Sequence, residues 1–125
     1  LYDGIKEVLE KLSQDPNKKI YITTSKNEPT ARKMCKYLGI TEFFDGIYGA
    51  TPAAFHKADV LQRAIAENNA NKDQSVIVGD TKYDMIGGKT VGIKTLAVTW
   101  GFGTKENPDF VADTVQELWD ILNNN

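Results

Sequence analysis

Val76-Ile77-Val78-Gly79-Asp80-Thr81-Lys82-Tyr83-Asp84-Met85-Ile86-Gly87-Gly88-Lys89-Thr90-Val91-Gly92 is the stretch that decides the fold. An apolar run ends abruptly at Gly79-Asp80, a second acid follows at Asp84, and small residues close the segment. This pattern predicts a buried strand that delivers a carboxylate at its carboxyl end, then a helix with another acid in its first turn. In an open α/β sheet, ligands sit in the crevice outside the carboxyl ends of the strands. Two acids placed there, unexplained by any core, point to a divalent-metal site.

Elements on either side of this stretch alternate in the same way. Ile5, Val8, Leu9 and Leu12 fall on one helical face, with Asp3 as a cap and Asp15-Pro16-Asn17 as the stop. Lys19-Ile20-Tyr21-Ile22-Thr23-Thr24 is a β-rich run ending in hydroxyls. Pro29 suits the first turn of a helix with Ala31, Met34, Cys35 and Leu38 inward and Gly39 just past its end. Phe43 to Gly49 contains a further strand candidate, Gly46-Ile47-Tyr48-Gly49, and Phe55 to Glu67 is a helix with Ala58, Leu61, Ala64 and Ile65 as its stripe. Ser75 to Val78 and Lys94 to Thr99 read as further strands, and Thr114-Val115-Gln116-Glu117 as a capping box before a last helix with Val115, Leu118, Trp119 and Leu122 inward. Strands alternating with helices, the strands apolar enough for burial on both faces, predict an α/β, Rossmann-like, doubly wound parallel sheet.

The 125 residues are enough for one domain with a real core, and 41% hydrophobic with 26% charged residues is ordinary for a globular protein. A net charge of −2 gives no electrostatic case for nucleic acid or an anionic membrane. No apolar run approaches a membrane span, and no signal-peptide pattern opens the chain. Cys35 stands alone, so there is no disulfide framework, which fits a reducing cytoplasm. The chain opens Leu1-Tyr2-Asp3-Gly4 without an initiator Met and turns helical almost at once, as a piece of something longer would.

In a parallel sheet the strand ends share one rim. The first strand ends at Thr23-Thr24-Ser25-Lys26, the next near Gly49-Ala50 with Lys57 a few residues beyond, and the fourth ends at Asp80. A hydroxyl beside helix-entry amides binds a phosphoryl oxygen. A lysine neutralises phosphate charge, and a carboxylate pair holds Mg²⁺. Together these are the parts of a phosphoryl-transfer site.

At these residues the chain resembles the core of a haloacid dehalogenase superfamily phosphatase of the phosphoglycolate-phosphatase-like type. Ile20 to Lys26 resembles that superfamily's second motif, an apolar strand ending in Thr or Ser. Lys57, within His56-Lys57-Ala58-Asp59-Val60-Leu61, resembles the third, and Gly79-Asp80 with Asp84 matches the Gly-Asp-x-x-x-Asp form of the fourth. Leu96 to Gly103 is similar to the family's next strand and loop. The first motif, an apolar strand ending in Asp-x-Asp, is absent: no Asp-x-Asp occurs anywhere in the chain. In the family its first Asp is the nucleophile that becomes an aspartyl-phosphate, and its second is the general acid/base. The resemblance implies residues 1–125 as a partial core domain without the nucleophile strand and cap. That strand would lie between the strands ending at Thr24 and Asp80, so these two would close on each other, self-associate through exposed edges, or await the missing segment.

The resemblance implies roles, each beside a blander alternative. Asp80 ligates Mg²⁺ directly and Asp84 holds a metal-bound water or orients the shell; otherwise Asp80 is a helix N-cap and Asp84 a first-turn charge. Thr24 donates to the phosphoryl group with the Ser25 amide beside it, or Thr23 does if the register slips; otherwise they cap the Pro29 helix. Lys57 bridges phosphoryl group and nucleophile; otherwise it is a solvated surface lysine. His56 reads as a helix-entry residue, Cys35 as core, and Trp100 and Phe102 as pocket lining or packing. The implied activity is Mg²⁺-dependent hydrolysis of a small phosphorylated metabolite by the parent protein, the 125 residues alone having no turnover. The rivals are a non-catalytic metal- or partner-binding module, and a receiver-like signalling domain, whose acid cluster this spacing does not supply.

Overall fold

The amphipathic spacing near the amino end folds as its pattern predicts: Ile5–Ser13 forms helix α1, which buries Val8 and Leu12. Gly4 occupies its N-cap position with φ 89°, and the expected cap Asp3 lies outside the described residues. The computed structural model describes residues 4–99 and 108–124, and the chain divides into two compact units, Leu1–Ala64 and Ile65–Asn125. Among the described residues no helix is long and apolar enough to cross a membrane.

In the first unit, strand β1 (Tyr21–Asn27) pairs in parallel with β2 (Gly46–Ala50), and helix α2 (Glu28–Leu38) connects them. A parallel pair requires such a crossover, and the helix covers one face of it. Ala31 and Cys35 of α2, with Ile40 and Ile47, form the buried cluster, against which Ile22, Phe43 and Phe44 pack. Asn27 caps α2 by accepting the Thr30 N–H at 2.9 Å, Pro29 lies in its first turn, and Gly39 ends it at φ 70°, so start and stop match the sequence signals. Half of the expected stripe does not: Met34 and Leu38 are 43% and 40% exposed. Helix α3 (Lys57–Glu67) begins later than the predicted Phe55, and its first backbone bond runs from the Val60 N–H to the His56 carbonyl. His56 is thus the helix-entry residue.

In the second unit β3 (Val76–Gly79), β4 (Lys94–Val98) and β5 (Phe110–Ala112) form a parallel sheet in the order β3-β4-β5, with α4 (Lys82–Val91) crossing from β3 to β4 and α5 (Val115–Asn123) following β5. The α/β fold with parallel sheets flanked by helices is therefore the one expected. Only β4 is buried on both faces from Thr95 to Val98; Val78 of β3 is 39% exposed. Strand β5 was not foreseen. It is held by side chains at both ends: Asp109 accepts the Thr95 N–H at 2.8 Å, and the Thr99 hydroxyl donates to Asp113 at 2.7 Å. Among the described residues β1 pairs only with β2, and β3 only with β4.

Candidate functional site

Strand β1 does not stop at Thr24 as its composition suggests but continues to Asn27, and its pairing becomes irregular on the way. Thr23 faces Tyr48 and Asn27 faces Ala50, so Thr24, Ser25 and Lys26 oppose Gly49 alone. This is a bulge, which removes backbone groups from the ladder and turns side chains at the strand end. Gly49 permits it, because a Cβ there would stand 2.6 Å from the Glu28 Cα and 2.7 Å from the Lys26 carbonyl oxygen. Within the bulge the Thr24 hydroxyl oxygen accepts the Lys26 N–H at 3.2 Å. A hydroxyl that accepts in this way still has its proton to donate.

Lys57 comes to the same place from the start of α3. Its Nζ donates to the Thr23 carbonyl at 2.5 Å, and the residue is half-buried. It is therefore not the solvated surface lysine of the blander reading. The structure brings Thr23, Thr24, Ser25 and Lys57 together at the end of β1, with Thr24 half-buried and Ser25 exposed. His56 turns instead to its neighbour Phe55, the ring centroids 4.4 Å apart. Cys35 is buried among apolar side chains, and that burial pushes its thiol pKa up, so it is core and not a nucleophile.

At the end of β3 the arrangement is built by capping. Thr81, not Asp80, is the N-cap of α4: its hydroxyl oxygen accepts the Asp84 N–H at 3.3 Å, while Asp84 Oδ2 accepts the Thr81 N–H at 3.4 Å and the Thr81 hydroxyl at 3.0 Å. The helix amides are thus served without Asp80, which corrects the blander reading for that residue, while Asp84 is a first-turn acid as that reading had it. Asp84 is 9% exposed, and Gly79 is what lets it lie there: a Cβ on Gly79 would meet Asp84 Oδ2 at 2.2 Å and Cγ at 2.3 Å. Asp80 is half-buried one residue beyond the strand and makes no hydrogen bond or ion pair with the described residues.

A family model described as haloacid dehalogenase-like hydrolase matches residues 1–98. The chain belongs to the haloacid dehalogenase-like hydrolases. Tyrosine-protein kinase PtkA of Mycobacterium tuberculosis is 36% identical over 117 residues, which are 92% of this chain and 40% of the relative. Pyrophosphatase PpaX of Halalkalibacterium halodurans is 31% identical over 128 residues, 97% of this chain and 59% of the relative. A solved haloacid dehalogenase-like family protein from Streptococcus pneumoniae has a TM-score of 0.90 and 43% identity, covering 97% of this chain and 59% of that one. The chain spans between 40% and 59% of the length of these relatives.

For a haloacid dehalogenase-like chain, the Gly79-Asp80 pair now has a physical account: the glycine admits the Asp84 carboxylate, and the cap at Thr81 spares Asp80. Two carboxylates are a suitable partial donor set for Mg²⁺, which takes one or two protein carboxylates and keeps several waters. Among the described residues no third acid, histidine or cysteine joins them. Sequence reasoning missed Thr81, although Thr81-x-x-Asp84 is the legible signature of a capping box. It also missed the Glu28 and Arg63 side chains, whose ion pair at 2.5 Å spans 35 positions and leaves no local signal. Trp100 and Phe102 lie outside the described residues.

Proposed function

We propose that this chain carries the phosphate- and metal-binding residues of a Mg²⁺-dependent phosphoric monoester hydrolase, whose parent protein cleaves a small phosphorylated metabolite through an aspartyl-phosphate. The observation that carries the reading is the economy of the Gly79-to-Asp84 turn. Thr81 and Asp84 satisfy the helix, and Asp80 is left half-buried with no partner among the described residues. A carboxylate whose oxygens the fold leaves uncommitted, at the carboxyl end of a parallel strand, is suited to meet a cation.

In this reading Asp80 ligates Mg²⁺ and Asp84 orients a metal-bound water with the carboxylate that Thr81 already fixes. The Thr24 hydroxyl and the Ser25 N–H donate to phosphoryl oxygens, and the Lys57 ammonium supplies the positive charge. Bound Mg²⁺ shields phosphoryl charge from the incoming nucleophile and stabilises it as it develops. The names of two relatives, a pyrophosphatase and a tyrosine-protein kinase, both describe phosphoryl chemistry and support the class. The attacking carboxylate is not among these residues, since they contain no Asp-x-Asp.

The test is p-nitrophenyl phosphate hydrolysis by the parent protein and by the 125-residue chain, with Mg²⁺ binding followed by calorimetry. The parent is expected to turn over, with Asp80→Asn lowering the rate about 10²-fold or more. The chain alone is expected to bind Mg²⁺ without turnover, and its Asp80→Asn variant not to bind. Turnover by the chain alone, or an unimpaired Asp80→Asn parent, overturns the reading. Mg²⁺ binding with an inert parent favours the non-catalytic module.

A further inference from the structure

Lys57 sits at the end of a flexible four-carbon stem, a point charge that takes its position from whatever holds its helix. Its own bond to the Thr23 carbonyl, at 2.5 Å, is one tether between α3 and β1. A second tether starts at Arg63 on the same helix. Its Nη2 donates to Glu28 Oε1 at 2.5 Å and to the Gly49 carbonyl at 3.3 Å, and its guanidinium lies 5.1 Å from the Tyr48 ring centroid. Tyr48 is the residue paired in register with Thr23, whose carbonyl holds Lys57.

Glu28 closes the arrangement. It is the first residue of α2, directly after the β1 bulge, and its Oε1 also accepts the Gly49 N–H at 3.2 Å. One carboxylate therefore joins the start of α2, the end of β2 and the side of α3. Both partners of the pair are only 25% exposed, so solvent screens the contact less than it screens a surface bridge. The planar guanidinium fork suits this duty, because it fixes direction as well as charge.

We propose that the Glu28–Arg63 pair is a positioning couple that sets where the Lys57 ammonium stands at the end of β1. The inference rests on the reading of Lys57 as a phosphate-binding residue. With the couple intact, two side chains of α3 hold it against the strand pair, fixing both its height and its rotation. With Arg63 truncated, α3 loses its anchor to Glu28 and the Gly49 carbonyl, and the Lys57 head group samples positions that miss the phosphoryl oxygens.

The test compares Arg63→Met, Arg63→Lys and Glu28→Gln by two readouts. The first is the acylation rate of Lys57 in the folded protein, read by mass spectrometry against the exposed Lys33 and Lys36 on α2. Arg63→Met is expected to raise the Lys57 rate several-fold and leave those of Lys33 and Lys36 unchanged. Glu28→Gln, which keeps an acceptor for the Gly49 N–H, is expected to do the same more weakly. The second is ester hydrolysis by the parent protein, where misplacement of a charge by about 1 Å can cost about 10²-fold in rate. Arg63→Met is expected to lower kcat by about that factor with KM little changed, and Arg63→Lys to restore part of it. An unchanged Lys57 rate, or rates that rise together at all three lysines, overturns the proposal and leaves the pair as a staple of the fold. If the wild-type parent hydrolyses no ester, the phosphatase reading fails by itself, and the labelling comparison still decides whether the couple places Lys57.

Discussion

Replacing Gly79 by alanine tests the account of the β3–α4 turn most directly. On intrinsic grounds the change should help slightly, because Gly→Ala at a compatible position stabilises by about 0.4–1 kcal/mol through the unfolded chain. Sterics decide otherwise. The new methyl group would stand 2.2 Å from Asp84 Oδ2, 2.3 Å from Cγ and 2.4 Å from Cβ, against the 3.4–4 Å of ordinary contact. Rotating the carboxylate away does not relieve the clash with the Asp84 Cβ, so the first turn of α4 must recede by about 1 Å. Overpacking of this kind costs about 1–3 kcal/mol. The displaced Asp84 also breaks the capping box with Thr81, for about 1 kcal/mol more. The net expectation is a loss of about 2–3 kcal/mol, or roughly 10 °C in Tm for a chain of this size. Denaturant unfolding followed by circular dichroism measures it. The mechanism is isolated by repeating the exchange on an Asp84→Gly background, which removes all three clashing atoms. There Gly79→Ala should cost nothing, giving a coupling of about 2 kcal/mol or more. Equal costs on both backgrounds would refute the reasoning, because they would place the penalty somewhere other than the contact with Asp84.

Three further outcomes are expected. Gly88→Ala should destabilise by about 1–3 kcal/mol, because its Cβ would meet the Ile77 and Thr95 Cγ2 methyls at 2.6 and 2.7 Å where α4 lies on β3 and β4; an unchanged unfolding midpoint would count against that close approach. Asp80→Ala should leave stability within about 0.5 kcal/mol of the parent chain while removing Mg²⁺ binding, since the carboxylate does no capping work; a loss comparable to that of Thr81→Ala would make Asp80 structural. Burial raises the Cys35 thiol pKa above its ordinary value, so the unfolded chain loses its proton first as pH rises. Stability should then be full below about pH 8 and decline through about pH 9 and above, and Cys35→Ala should flatten that decline; an identical slope in the variant would refute the assignment.

What could be read in advance follows the range of the interaction responsible. Helix α4 was legible because its signals are local, from the strand end at Gly79 to Gly92, which takes φ 84° at the C-cap. Helix α2 was legible at its ends and misread along its face, since Met34 and Leu38 follow the helical spacing but only Ala31 and Cys35 meet the strand pair. Strand β5 was invisible because three residues carry little pattern, and its ladder with β4 is flanked by Asp109 and Asp113, which accept from Thr95 and Thr99 across 14 positions. The length of β1 was misjudged because its bulge depends on Gly49, 25 positions away from Thr24 in the chain. At the site, Lys57 was legible as a lysine just beyond a strand end, and the family resemblance singled it out from other lysines. Its partner is a backbone carbonyl, and no residue type announces that.

The Gly79-to-Asp84 turn shows why a short acidic motif can be more informative than its acids. A helix start needs an oxygen for its free amides, and Thr81 provides it. A capping box needs an acid at the third helical position, and Asp84 provides that, held against a strand residue that has no Cβ. Folding requirements therefore account for Gly79, Thr81 and Asp84 in full, and for none of Asp80. Stability alone gives no reason to keep an acid at position 80, since Asp80 is half-buried, caps nothing and is expected to be nearly neutral on removal. The acid that folding does not use stands where a strand of a parallel sheet presents its carboxyl end, the position at which open α/β sheets meet their ligands.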